Sequence, residues 1–336
     1  MKKLRIACCG GWHSHAKDFP MDRAPKFCGD LPHEFVAVWD DDPVRGQAWA
    51  QEMGCRFEPD YGALCADKDI DGFLITAGTT KHAELAIPAA EAGKHIFMEK
   101  ALAVDPSEAQ RIREAVKRAG IHFTISDPVE KPALVYAKKL MDDGVLGDIT
   151  GIRYRTCHAF GLTDHALMER FYTKPEAGAG TLSDMGHHAV HVLLWFLGRP
   201  DRAMGVFSRY SETGKANDVD DMASALFHFP SGAIGTAESG WLCPGGQNIF
   251  ELYGTKGFLR WDCDGLRYRF DPEGSWTTVP DSELPPAPVY PLRYWMESVL
   301  NDTPNTQYTI DEAVDVTAMI AAAYRTDGKG EPIVYP

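Results

Sequence analysis

What this 336-residue chain lacks narrows its function before any motif is read. No apolar run approaches the ~20 residues that a membrane-spanning helix needs. There is no basic excess: 34 Lys and Arg stand against 48 Asp and Glu, a formal net charge of -14. A nucleic-acid surface or an anionic membrane is therefore not the expected partner. The eight cysteines include no Cys-x-x-Cys pair. Neither a zinc ribbon nor a disulfide framework is suggested, and a reducing cytoplasm is the expected home. The apolar stretch Leu4–Cys9 is too short and too interrupted, by Arg5, to serve as an export signal. Internal repeats and low-complexity tracts are missing too. The 44% hydrophobic and 11% aromatic content fits a globular enzyme, and the length predicts two domains.

In the first third, apolar strands alternate with helices. Strands are expected at 4–9, 34–39, 72–76, 95–98 and 121–125, with helices over 14–28, 44–53, 82–92 and 106–119. Strands that are apolar throughout imply a parallel sheet covered on both faces, a doubly wound Rossmann-type α/β domain spanning 1–127. Ligands of such sheets bind beyond the carboxyl ends of the strands. That places Gly10-Gly11, Asp40, Thr76-Ala77-Gly78, Glu99-Lys100 and Ser126-Asp127 at the site.

The glycine fingerprint that normally cradles a dinucleotide is degenerate. Trp12 and His15 stand where the second and third glycines belong. His13 and His15 follow the first strand closely and are expected beside the cofactor. Asp40, ending strand two, is placed to bind an adenosine ribose and to repel a 2′-phosphate, which favours NAD over NADP. The same Asp40-Asp41-Asp42-Pro43 run also reads as a plain turn with a helix cap. Lys100 can polarise a substrate oxygen or hold the nicotinamide ribose.

The second concentration of chemistry lies at 178–191. Gly178-Ala179-Gly180 feeds a helix in which Asp184, His187, His188 and His191 share about a third of the circumference. An acid and imidazoles on one face can relay a proton; Asp184, His187 and His191 could alternatively hold a metal. His158 lies on a stretch expected to face substrate. From 128 to 336, strands follow one another at 149–156, 202–210, 222–229, 234–239, 248–253, 257–261 and 266–270. Helices are expected at 133–143, 181–197, 293–300 and 311–325. This predicts a mostly antiparallel α+β sheet with helices on one face. Its other face calls for self-association as a homodimer or homotetramer.

Three segments together resemble the Gfo/Idh/MocA oxidoreductases, the family of glucose–fructose oxidoreductase and inositol dehydrogenase. Glu99-Lys100-Ala101 is similar to that family's EKP, with alanine for proline. Thr76 to His82 resembles T-P-x-x-x-H, and Gly178 to His191 resembles G-G-G-x-L-x-D-x-G-x-H-x-x-D, with His191 in place of the last aspartate. The arginine that many relatives carry soon after strand five is not evident in Asp127–Pro132. The resemblance implies hydride transfer between a nicotinamide and a secondary alcohol or ketone of a sugar, cyclitol or similar molecule. Lys100, Asp184 and His188 would form the catalytic group. Gly10, Gly11, Trp12, His13, His15, Asp40, Thr76, Ala77, His82, Glu99 and Lys100 would line the cofactor, and Lys100, His158, Asp184, His187 and His188 the substrate. Two other readings stay open: a metal-dependent or NAD-assisted sugar-modifying enzyme built on the histidine cluster, and a non-catalytic NAD(P)-binding regulator.

Overall fold

A computed structural model describes residues 3–129, 131–246, 248–271, 273–326 and 331–335. The first sheet contains β1 (Leu4–Cys9), β2 (His33–Trp39), β3 (Arg56–Phe57), β4 (Gly72–Ile75), β5 (His95–Glu99) and β6 (Phe123–Ser126), in the order β3-β2-β1-β4-β5-β6. All its pairings are parallel. β4 and β6 are buried at every residue, as a sheet with helices on both faces requires.

Local signals set the helix ends. Asp42 accepts from the N–H groups of Val44 and Arg45, Pro43 takes the first position, and Gly54 closes the helix Pro43–Met53 in the left-handed conformation. Asp105 and Gly120 do the same for Pro106–Ala119. The helix expected over 14–28 forms from His15 to Cys28, and the Ala24 N–H returns to Phe19 O in a π-turn around Pro20. Proline has no N–H to offer the α-ladder, so the turn widens there. β6 starts at Phe123, two residues later than the sequence suggested.

The second sheet holds β7 (Ile149–Cys157), β8 (Arg202–Ser208), β9 (Met222–His228), β10 (Ile234–Gly240), β11 (Ile249–Gly254), β12 (Gly257–Asp262), β13 (Gly265–Arg269), β14 (Thr277–Thr278) and β15 (Glu331–Pro332). Its order is β14-β13-β12-β11-β7-β10-β9-β8-β15, antiparallel except for β7 with β10. Helices Pro132–Asp142, Gly186–Leu197 and Ile310–Thr326 cover one face through Leu134, Leu193, Val316 and Met319, all fully buried. The other face carries Val206, Leu226, Ile234 and Tyr253 in the open around an Arg153–Glu238–Glu251–Arg260 charge network.

Sequence order and packing part company near the C-terminus. Helix Pro291–Asn301 returns to the first sheet, where Leu292, Trp295 and Met296 pack with Ile6, Leu74 and Phe97. Tyr308, Ile310 and Val314 join the other core of that sheet. The first unit is thus completed by residues from the far end of the chain. Between β7 and the 178–180 turn, short helical turns (160–177) form a strap across the mouth of the first sheet.

Candidate functional site

The site forms where the carboxyl ends of β1, β2, β4, β5 and β6 meet the strap and the Gly178–Leu197 segment. Gly10, at φ 81°, lets the chain turn sharply after β1; a Cβ there would come within 2.5 Å of the Ala77 Cβ. Thr76 donates to Gly10 O at 2.6 Å, so Thr76 and Ala77 pack beneath the turn as its support. Gly180 is equally constrained: a Cβ would meet Asp220 O at 2.3 Å, and the Thr181 N–H donates to that same oxygen. This close approach fixes where Asp184 emerges.

Lys100, leaving β5, donates to Asp184 Oδ1 at 2.5 Å and to Asp184 O at 3.1 Å. The second carboxylate oxygen of Asp184 accepts from Trp241 Nε1 at 2.9 Å. Burial alone would raise the Asp184 pKa, but Lys100 outweighs it and holds the carboxyl at about 2. Burial likewise opposes the charge on Lys100, and Asp184 and Glu99 overcome it, so the ammonium stays protonated above its ordinary range. The pair is therefore a fixed charge couple, with the lysine as a standing hydrogen-bond donor. The peptide joining Lys100 to Ala101 is cis.

His188 does not pair with Asp184. Its Nδ1 contacts Asp127 Oδ1, the carboxylate just beyond β6. His191 Nδ1 meets Asp127 Oδ2 at 2.8 Å, and His187 Nε2 lies 3.2 Å from the same oxygen, off the line of a hydrogen bond. Asp127 is fully buried. Burial would raise its pKa; His188, His187 and His191 together hold it well below the carboxylate range instead. With Nδ1 committed to Asp127, His188 presents Nε2 outward, and its side chain is 26% exposed where those of His187 and His191 are buried. The Asp127 charge also reaches Lys100 and helps keep it protonated.

This geometry corrects three expectations. The Asp184/His187/His191 metal trio is not assembled, because Asp184 turns to Lys100 and Trp241 while both histidines turn to Asp127. His82 is buried with Nδ1 3.2 Å from Leu102 O and Nε2 3.1 Å from Ala77 O; burial keeps the ring neutral, so it donates to one of these carbonyls, and both nitrogens face the protein's own backbone. His187 is likewise buried, which lowers its pKa, and it packs behind His188 instead of facing substrate. Burial lowers the His158 pKa, and the charges of Asp184 and Lys100 both act on it.

Two residues were given no chemical role by the sequence reading, although Asp127 was expected at the site. Asp127 stood at a strand end but carried no motif. Trp241 read as packing, and it is packed, against Phe171 and Tyr172; its indole N–H also fixes Asp184.

The residues expected at the cofactor gather on the other side of the β1 turn. Asp40 accepts from Gly11 N at 2.7 Å, from Asp42 N at 2.9 Å and from the Arg45 guanidinium at 2.6 Å. A cleft of about 740 Å³ opens there, lined by Gly11, Trp12, Lys17, Arg45, Arg170 and Glu176 among others. Such a volume suits a small organic ligand. Trp12 fills the second-glycine position and is tied to the strap, its Nε1 donating to Glu176 Oε2 at 2.7 Å. His13 and His15 flank the buried Glu99. Burial lowers the His13 pKa to about 3, and its Nδ1 accepts from the His15 N–H at 3.1 Å. The neutral ring therefore carries its proton on Nε2, which is buried 3.8 Å from Glu99 Oε1.

Comparison with known proteins agrees with this arrangement. Residues 5–126 match the model of the oxidoreductase family with an NAD-binding Rossmann fold, and residues 134–260 match the GFO/IDH/MocA C-terminal domain. Levoglucosan dehydrogenase of Pseudarthrobacter phenanthrenivorans is 30% identical over 223 residues, 60% of this chain and 57% of its own length. The scyllo-inositol 2-dehydrogenase (NAD(+)) of Bacillus subtilis is 29% identical over 65% of this chain and 64% of its own. In fold, levoglucosan dehydrogenase in complex with NADH and levoglucosan superposes with a TM-score of 0.84 at 21% identity, covering 99% of this chain and 100% of that one. The match to both domain models, in order and over most of its length, places the chain in the Gfo/Idh/MocA family of oxidoreductases.

Proposed function

We propose that this protein is an NAD-dependent dehydrogenase or reductase of a sugar, cyclitol or similar polyol, with Lys100, Asp184 and His188 as its catalytic group. The observation that carries the reading is the pairing of two preset devices at the carboxyl ends of β5 and β6. One is a buried ammonium held charged by Asp184; the other is an imidazole held in one orientation by Asp127.

A nicotinamide dinucleotide suits the cations of the cleft, Lys17, Arg45 and Arg170, for its phosphates, with Asp40 buried behind Arg45 on the ribose side. When bound, it supplies the hydride acceptor for alcohol oxidation. The chain's own residues manage the oxygen. Lys100 donates to it and stabilises negative charge developing there. His188 Nε2 takes the hydroxyl proton, while its Nδ1–H stays on Asp127, which stabilises the imidazolium that forms. The reverse sequence serves reduction. Trp241 and Lys100 together keep Asp184 from accepting that proton.

The negative charge of Asp40 and Asp41 at the end of β2 would disfavour a cofactor bearing a 2′-phosphate, and Arg45 near them is already neutralised by both. The open face of the second sheet, with Val206, Leu226 and Ile234, is where a second copy of the chain would pack. Analytical ultracentrifugation tests that association. The free state of all eight cysteines fits a cytoplasmic setting.

The deciding experiment is a panel of sugars and cyclitols followed by absorbance of the reduced nicotinamide, with His188→Ala and Lys100→Met beside the wild type. Turnover in the wild type, lost in both variants while the cofactor still binds, is the expected result. Binding without turnover across the panel would favour a regulator. Turnover surviving His188→Ala would remove that residue as the base.

A further inference from the structure

The cofactor cleft draws positive charge from both halves of the molecule. Lys17 and Arg45 line it from the first unit, Arg170 from the strap. The first two are met by carboxylates: Lys17 by Glu52, and Arg45 by Asp40 and Asp41. Among the described residues, Arg170 has no carboxylate within ion-pair distance. Its hydrogen bond goes to a backbone carbonyl, Trp12 O, at 2.5 Å. The side chain is half-buried; burial and the nearby charge of Arg45 work against its protonated state, and the Glu176 carboxylate works for it. Arg45 is compensated by its two carboxylates and Arg170 is not held by one at ion-pair distance, so an anion in the partly dry cleft would supply the partner that Arg170 lacks.

The turn itself explains why such a device is needed. A glycine-rich turn lets a diphosphate approach the backbone closely at the helix start. Here the second glycine position holds Trp12, only 6% exposed and anchored to Glu176, and the third holds His15. That close approach is narrowed, and cationic side chains stand around the turn instead.

We infer that Arg170 is the diphosphate clamp of the bound dinucleotide, supplied by the second half of the chain in place of the missing glycine cradle. This rests on reading the cleft as the cofactor site. A planar guanidinium suits a diphosphate diester because two parallel N–H groups can engage phosphate oxygens at once. Since Arg170 rides on the strap and already touches the turn, the cofactor it grips also ties the strap to the first unit.

Equilibrium binding of adenosine, ADP and NAD to the full chain tests the assignment, using wild type, Arg170→Gln and Arg170→Lys. In the wild type, ADP should bind far more tightly than adenosine. Arg170→Gln should weaken ADP and NAD by about 10-fold or more, the loss of a charge-assisted contact, and leave adenosine unchanged. Arg170→Lys should recover part of the loss, keeping the charge without the fork. ADP binding unchanged in Arg170→Gln overturns the proposal. So does an equal weakening of adenosine and ADP, which would mean that Arg170 only holds the strap in place. Failure of the wild type itself to bind either ADP or NAD would instead bring down the cofactor reading of the cleft, and the clamp with it.

Discussion

Replacing Lys100 by methionine removes the cation paired with a nearly buried carboxylate, and the cost can be worked from the geometry. The Lys100 and Asp184 side chains are 4% and 16% exposed. Asp184 sits at about 2 instead of its ordinary 3.8, worth about 2 kcal/mol of folding stability at neutral pH. Deleting the lysine forfeits this and also leaves the carboxylate buried with the Trp241 N–H as its remaining donor, so the total loss should be about 3–5 kcal/mol at pH 7. The sign follows from linkage. The carboxylate is more acidic in the folded state than in the unfolded one, so its contribution is present above pH 3.8 and lost as the pH falls through about 2. Without Lys100, burial dominates and Asp184 takes up a proton more readily, so the penalty of the variant should shrink as the pH is lowered from 7 toward 4. Urea unfolding of the wild type, Lys100→Met, Asp184→Asn and the double variant reads this directly. The double variant should lose less than the two single losses combined, with a coupling of about 1–3 kcal/mol. A Lys100→Met penalty below about 1 kcal/mol at pH 7 would refute the buried-pair argument, because an exposed pair is worth no more than that. A penalty independent of pH would refute the role given to the Asp184 charge.

Two other perturbations probe neighbouring links. Asp127→Asn should lower kcat by about 100-fold or more with little change in the KM of the cofactor, since His188 loses the acceptor that orients it. It should also abolish a strongly downfield imidazole N–H proton resonance, which Asp127→Glu should partly restore; wild-type kcat in the asparagine variant would show that the base needs no such partner. Asp40→Ala should relax the preference for NAD over NADP, because it removes the carboxylate that repels a 2′-phosphate and frees Arg45 to meet one. An unchanged preference in steady-state kinetics with both cofactors would reduce Asp40 to a turn residue.

Much of the architecture was legible because it is carried by local signals. The apolar strands of the first sheet, the Asp42 and Asp105 caps, Gly54 and Gly120, and the alternating strands of the second sheet are all encoded within a few residues of where they act. Lys100 was legible for a related reason: the carboxyl end of a parallel strand is a place the chain dictates. Helical spacing likewise put His187, His188 and His191 on one arc. It could not say which partner they would face. Asp184 lies on the neighbouring turn, yet its carboxylate turns to Lys100, 84 positions earlier, and to Trp241, 57 positions later. His188 finds Asp127, 61 positions earlier.

The sequence by itself therefore determined the elements, the alternation that makes a parallel sheet, and the residue types available for proton and charge chemistry. Tertiary structure decided the pairing. A carboxylate, an ammonium or an imidazole acquires its role from the charge and the dryness around it, and both are supplied here by residues distant in the chain. Asp127 became the partner of His188 and His191, His82 a buried link between loops and Arg170 a wall of the cleft beside β1 only once the strap and the second sheet had closed over the ends of the first.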